Sequence, residues 1–256
     1  MSTCKISIVT ISRNNVQNLL KTLDSVKNQD YQLIEHIIID GDSQDGSKEL
    51  LGSYIHSKEY SYFSELDNGI SDAFNKGLKK STGDLIFFLN SGDTLSDNVV
   101  ISEVVKSYLE RKWRFAVGIT VTTSLTGEPI SYQPPKLSSK FLKYFMFLPH
   151  QGVFCETSLH RNFNYDESLK TSMDYDLFIR MIENISIFYL PLIISNREPG
   201  GVSSDTRKRI NEQSQIRIQH AIGLHEKVLI RVVNFLIFVK SYLKLDSPFI
   251  AKIRNI

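Results

Sequence analysis

Cysteine is nearly absent from this chain of 256 residues: Cys4 and Cys155 are the only two, far apart and without CxxC spacing. That scarcity excludes a disulfide framework or a Cys-based zinc site and suits a reduced compartment. Long apolar runs are missing too. The greasiest stretch, Val232–Val239, is far short of the roughly 20 residues a membrane-spanning helix needs. The start, Met1 to Val9, runs straight into a strand pattern with no basic and long apolar leader, so a cytoplasmic protein is expected. Nor is there a GxxxxGK[ST] loop, a GxGxxG after the first strand, a GxSxG elbow or an HExxH pair. P-loop, dinucleotide-binding, α/β-hydrolase and zinc-protease chemistries are thereby disfavoured. Any phosphate charge must be met by a divalent cation or by side chains. No internal repeat or low-complexity tract interrupts the chain.

What is present is globular, with 41% hydrophobic and 23% charged residues, enough for a full core. The net charge of +2 conceals an asymmetry. From Ser204 onward there are ten Lys/Arg against four Asp/Glu, leaving an acidic body with a basic tail. Acidic clefts suit metals, and basic tails suit phosphates or anionic membranes. Nothing points to nucleic acid.

Apolar runs at 5–11, 34–40, 60–65 and 84–89 read as strands, with helical periodicity over 16–26, 48–55 and 70–80 between them. Asn14 or Asn15 is the expected cap of the first helix. This alternation predicts an α/β fold with a mostly parallel central sheet flanked by helices. Asp40, Asp67 and Asp93 each follow a strand, and ligands of such sheets collect at the strands' carboxyl ends. Beyond Ser96 the pattern predicts a helix over 97–112, hairpin arms at 114–122 and 130–133, a strand at 151–155 and a helix over 173–183.

Five segments then stand out in order: "ISIVTISRN" (6–14), "IIIDGDSQDGS" (37–47), "SELDNGISDAFNKGLKKSTGDLIFFLNSGD" (64–93), "PHQGVF" (149–154) and "SMDYDLFIRM" (172–181). Together they resemble the family 2 glycosyltransferases, inverting enzymes of the GT-A fold, over about residues 1–203. The resemblance implies a nucleotide-sugar-binding half at about 1–95 and an acceptor half at about 96–203. It implies transfer of a sugar from a nucleotide-diphosphate donor, a UDP-sugar, to a hydroxyl of a glycan or lipid-linked acceptor in surface polysaccharide synthesis. The alternative is a non-catalytic nucleotide-sugar-binding relative that acts as a scaffold in a glycan assembly complex.

Carried over residue by residue, the resemblance places Thr10, Ser12, Asp40 and Asp67 around the base and ribose. Asp72, Asn75, Lys76 and Ser91 join them on the donor side. A carboxylate suits the imide N–H of uracil or ribose hydroxyls. Asp93 aligns with the last acid of the DxD-type signature, which binds Mn2+ or Mg2+ on the diphosphate. Gly92 stands where the commoner pattern has another acid, which predicts weak metal affinity in the absence of donor. Asp174 is the expected general base. Asp176 is expected only in support, and Asp45 as a helix cap. His150 and Gln151 fall on the acceptor side, and "EPGGVSSD" (198–205) resembles the loop that closes over the donor.

Residues 204–256 lie outside these motifs and form a basic, helical extension. Leu224–Leu245 mixes Val, Leu and Phe with Lys227, Arg231, Lys240 and Lys244. It reads equally as a helix resting on the cytoplasmic face of an anionic membrane or as one packed on the domain or across a homodimer. Lys136–Leu148, aromatic and basic, is a second expected lipid-facing surface.

Overall fold

The computed structural model describes residues 3–54, 60–124, 127–200 and 205–242. Strand β1 (Ile6–Ser12) lies at the centre of a parallel group with β2 (Ile34–Asp40), β3 (Tyr60–Ser64) and β4 (Leu85–Phe88). In this register Ser12 sits opposite Asp40, and Asp40 opposite Ser64, so three strands end level at one carboxyl edge. Helix α1 (Val16–Lys27) buries Leu19, Leu23 and Val26. Its first amide is not met by Asn14 or Asn15, as the sequence suggested. Asp45 accepts it instead at 2.8 Å, and also accepts the amide and hydroxyl of Ser47 at the start of α2 (Ser47–Tyr54). One carboxylate thus satisfies the exposed donors of two helix starts, in keeping with the capping role expected of it. Helix α3 (Ile70–Lys80) approaches the sheet so closely that a Cβ on Gly77 would lie 2.3 Å from Val9 Cγ1.

After β5 (Thr94–Leu95) and α4 (Val100–Arg111), the hairpin forms as expected from β6 (Phe115–Thr123) and β7 (Pro129–Tyr132). A 3-10 turn at His150–Gly152 leads into β8 (Val153–Glu156), followed by the short helix α5 (Thr157–His160), α6 (Met173–Met181) and β9 (Phe188–Arg197). The sheet runs β3-β2-β1-β4-β8-β6-β9-β5. β8 is antiparallel to β4 and to β6. This reversal starts β8 at the edge where β4 ends, which carries His150 back to the carboxyl ends of the first four strands.

One face of the sheet packs Val9, Ile39, Phe74 and Phe88 with Tyr175 and Phe178 of α6 and Ile216 of α7 (Thr206–Gln219). The other packs Ile6, Ile8, Phe87 and Phe154 with Val104, Val105 and Trp113. Of Lys136–Leu148, the expected lipid-facing surface, Phe141 and Phe145 are exposed. Leu142, Phe147 and Leu148 are buried in the first core, and Tyr175 donates its hydroxyl to the Leu142 carbonyl. Helix α7 is bonded to the domain, whereas α8 (Gly223–Tyr242) buries only Ile230 fully and exposes Leu224, Val228, Val232, Phe235, Leu236 and Phe238. Among the described residues no helix is long and apolar enough to cross a membrane.

Candidate active site

The carboxyl edge of β1, β2 and β4 gathers most of the expected polar residues, but not all face the same task. Ser12 is 6% exposed, and its hydroxyl lacks a hydrogen-bond partner. Thr10, two residues back, is fully buried, and its Oγ1 pairs with His36 Nε2 at 2.8 Å. Its placement in the donor pocket is therefore corrected to an interior pairing beneath it. His36 is held neutral there, its pKa pushed down to about 3 by burial.

Asp40 is also fully buried. Its carboxylate accepts the amide and hydroxyl of Ser43, the Ser64 hydroxyl at 2.7 Å and the Tyr62 hydroxyl at 3.2 Å. Direct contact with a base, expected from sequence, gives way to a bracing role. Asp40 folds the 41–45 loop over the ends of β2 and β3, because a buried carboxylate must be surrounded by donors. Asp67 reaches toward this loop: a Cβ on Gly41 would fall 2.2 Å from its Oδ2. Its other oxygen accepts the Gly69 amide at 3.0 Å and faces Arg13 Nη1 at 3.8 Å.

The α3 residues are largely committed to structure. Asp72 accepts the Asn68 amide at 2.9 Å and pairs with Lys76 at 3.2 Å. Lys76 donates to the Leu66 carbonyl at 2.7 Å, and Asn75 exchanges both amide groups with the Tyr165 backbone. The polar atoms of Asn75 and Lys76, expected on the donor side, tie α3 to neighbouring loops while both side chains stay partly exposed.

Ser91 shares a hydrogen bond of 3.2 Å with the Asn15 side chain beyond β4. Gly92 follows with φ +101, a conformation that an acid resists. A Cβ there would lie 3.1 Å from Glu198 Cβ. An acid at this position would have to adopt a backbone conformation that L side chains rarely take. Asp93 is 4% exposed, and its Oδ1 accepts the Glu198 amide at 2.9 Å. Burial pushes its pKa up, opposed by that amide, by the nearby charges of His150 and Arg197, and by a hydrogen bond from Gln151. Gln151 is itself buried, with its carbonyl held by Ser195 at 2.7 Å.

Next to Asp93 the 3-10 turn presents His150. Its Nε2 lies 3.1 Å from Asn90 Nδ2, and its Nδ1 lies 3.7 Å from Asp174 Oδ2. Asp174 Oδ1 accepts the Tyr175 amide at 2.8 Å, which leaves Oδ2 as the free oxygen facing His150. Asp176 is buried and points away, bonded to Arg180 and to His220 Nε2 at 2.7 Å. These bonds outweigh the upward push of burial and hold its pKa below the usual carboxylate range.

The structure thus brings Asp93, Asn90, His150, Gln151 and Asp174 together, with Ser91 just beyond the end of β4 and Ser12 at the end of β1. Asn90 lies inside the quoted 64–93 segment without an expected role, and Glu198 opens the quoted 198–205 loop, though its contribution is a backbone amide that no side-chain pattern reveals. Of the expected closing loop, residues 201–204 lie outside the described residues.

For a divalent cation the donor set is minimal. Among the described residues no group of three His, Cys, Asp or Glu converges to hold a metal. Asp93 offers one carboxylate, hard and anionic, with one oxygen already engaged. That fits a cation completed by phosphate oxygens and waters rather than a dedicated protein cage.

Residues 7–169 match the family described as glycosyl transferase family 2, and the chain belongs to that family. An uncharacterized glycosyltransferase of Mycobacterium tuberculosis is 32% identical over 222 residues, covering 79% of this chain and 82% of that protein. The amylovoran biosynthesis glycosyltransferase AmsB of Erwinia amylovora is 25% identical, covering 70% of this chain and 64% of its own. Among solved structures, S. aureus TarS 1–349 in complex with UDP-GlcNAc superposes with a TM-score of 0.70 at 15% identity, covering 90% of this chain and 70% of that one. The architecture is the GT-A fold.

Proposed function

We propose that this family 2 glycosyltransferase transfers a sugar, with inversion, from a UDP-sugar to a hydroxyl of a glycan or lipid-linked acceptor in surface polysaccharide synthesis. The observation that carries this reading is the meeting of Asp93 and Asp174 across His150 at one sheet edge. The UDP-GlcNAc complex of a structural neighbour and the amylovoran role of a relative support the donor and pathway class.

In this reading Ser12 and Ser91 meet the nucleoside, while Asp40 and Asp67 shape the wall of its pocket. Asp93 would hold Mn2+ or Mg2+, which when bound supplies Lewis-acid stabilisation of the departing diphosphate. Asp174 Oδ2 takes the proton of the acceptor hydroxyl as that oxygen bonds to C1 of the sugar. The bond from C1 to the diphosphate oxygen breaks on the opposite face, so the configuration inverts in one displacement. His150, held by Asn90, fixes the orientation of the Asp174 carboxylate and lines the acceptor side with Gln151.

The test is UDP release from UDP-glucose, UDP-galactose and UDP-N-acetylglucosamine with Mn2+, with and without acceptor glycans. Asp174→Asn should lower turnover by roughly 100-fold or more while UDP affinity is kept. Wild-type protein that binds UDP-sugars but never turns them over would favour the scaffold alternative.

The exposed apolar face of α8 is flanked by exposed Lys227, Arg231 and Lys240. This pairing favours an anionic membrane surface as its partner, with each basic residue contributing on the order of 1 kcal/mol. Full-length protein should then sediment with phosphatidylserine vesicles and detach as salt rises. Salt-independent self-association without vesicle binding would assign the face to a homodimer.

A further inference from the structure

We infer that Glu212, on α7, is a positioning residue for Asp174, an inference that rests on the reading of Asp174 as the general base. Glu212 lies far from the sheet edge in sequence and outside every motif that marks the site. Yet all four of its hydrogen bonds go to one short segment, the turn that launches α6. Its Oε1 accepts the Lys170 amide at 2.7 Å. Its Oε2 accepts the amides of Thr171 and Ser172, each at 2.7 Å, and the Thr171 hydroxyl at 2.6 Å. Three successive amides converge on one half-buried carboxylate.

Ser172 is the boundary residue of α6, and Asp174 stands in its first turn. Asp174 Oδ1 is held by the Tyr175 amide, so the direction of its free oxygen follows the direction of that turn. Helix α7 grips α6 along one stripe, Glu212, Ile216 and His220, spaced four residues apart and hence on one face. Ile216 is buried in the core, and His220 bonds Asp176 on the far side of the same turn. Asp174 therefore sits on a turn clamped from before and behind. Charge-assisted bonds to backbone amides are short and directional, which suits fixing a helix start rather than merely covering it. A base displaced by about 1 Å loses on the order of 100-fold in rate.

The test uses the full chain carrying Glu212→Ala and Glu212→Gln, each measured beside Asp174→Asn. Turnover is followed as UDP release from the three UDP-sugars with Mn2+, and binding as UDP affinity by calorimetry. Glu212→Ala should lower kcat by roughly 10- to 100-fold with UDP affinity within about twofold. Glu212→Gln, which keeps one acceptor oxygen, should recover part of that loss. Glu212→Ala added to Asp174→Asn should slow it little further, because both act through one group. The His150 ring resonances should shift in Glu212→Ala in the same direction as in Asp174→Asn.

Wild-type kcat in Glu212→Ala, a matching loss of UDP affinity, or fully multiplicative losses in the double variant would each overturn the inference. So would unfolding of both Glu212 variants, which would leave a purely structural role. Asp174→Asn with wild-type turnover, or wild-type protein without turnover, would instead retire Asp174 as the base. The His150 resonances then still decide whether Glu212 sets the position of Asp174.

Discussion

Restoring the second acid of the signature, Gly92→Asp, should damage this protein rather than improve it. Gly92 adopts φ +101 and donates its amide to Thr22 Oγ1 at 2.9 Å, while Thr22 donates to the Asp93 carbonyl at 2.7 Å. The turn is thus fixed from beneath and has no freedom to relax into a conformation that suits an L side chain. Holding a non-glycine residue there costs about 1–3 kcal/mol. The new Cβ would also press on Glu198 Cβ at 3.1 Å and Cγ at 3.3 Å. Glu198 is the residue whose amide anchors Asp93. Weakening that charge-assisted bond adds about 1.5–3 kcal/mol, so the total is roughly 2.5–6 kcal/mol. Gly92→Ala separates strain from charge and should lose most of the same stability. Urea unfolding measures the loss, and calorimetric titration of Mn2+ in the presence of UDP measures the site. If Gly92→Asp folds as stably as wild type and binds Mn2+ more tightly, the backbone strain expected of an acid here is absent.

Asp93→Asn should abolish metal-dependent UDP release without lowering the melting temperature, since a carboxylate whose pKa is raised by burial is a cost to the folded state near neutral pH and Asn still accepts the Glu198 amide. Asp40→Ala should behave oppositely, with several kcal/mol of stability lost by denaturant titration because it orphans donors from Ser43, Tyr62 and Ser64. Acid should destabilise the fold earlier than its carboxylates alone would. His36 and His160 are kept neutral by burial, with pKa values near 3 and 4 against an ordinary 6.5. Their contribution is full above pH 6.5 and falls as the unfolded chain alone takes up protons, by about 2 kcal/mol per histidine between pH 7 and 5. Glu35, with its pKa lowered to about 2, releases its share only below about pH 4.5. Unfolding free energies measured from pH 7 to 4 should show the histidine phase, and a flat profile from pH 7 to 5 would refute it.

The parallel half of the fold was legible because β1, β2 and β4 are apolar on both faces and end abruptly on polar residues. Asp93, His150 and Asp174 were legible as motif residues. Which carboxylates would face a ligand was not, because motif membership does not reveal burial. Asp40 and Asp93 look alike in sequence, yet one is ringed by hydroxyl donors and the other accepts the Glu198 amide and a hydrogen bond from Gln151. The hydrogen bonds of Thr10, Asn75 and Lys76 were hidden for the same reason: their partners, His36, Tyr165 and Leu66, come from other elements. The grip of α7 on α6 left a trace that could have been read, the four-residue spacing of Glu212, Ile216 and His220. A tail treated as a separate basic extension hid it.

The reversed strand β8 also bears on how the chain is made. During synthesis β4 emerges with β1 on one side and nothing on the other, since its second neighbour begins only at Val153. At typical elongation rates of about 5–20 residues per second, that edge waits several seconds for its partner. Through that interval Leu85, Ile86, Phe87 and Phe88 offer an unpaired row of amides and carbonyls with apolar side chains on both faces, a template for any other nascent strand. Overproduction at high temperature should therefore drive the ribosome-bound half into inclusion bodies, and slower translation at low temperature should relieve it.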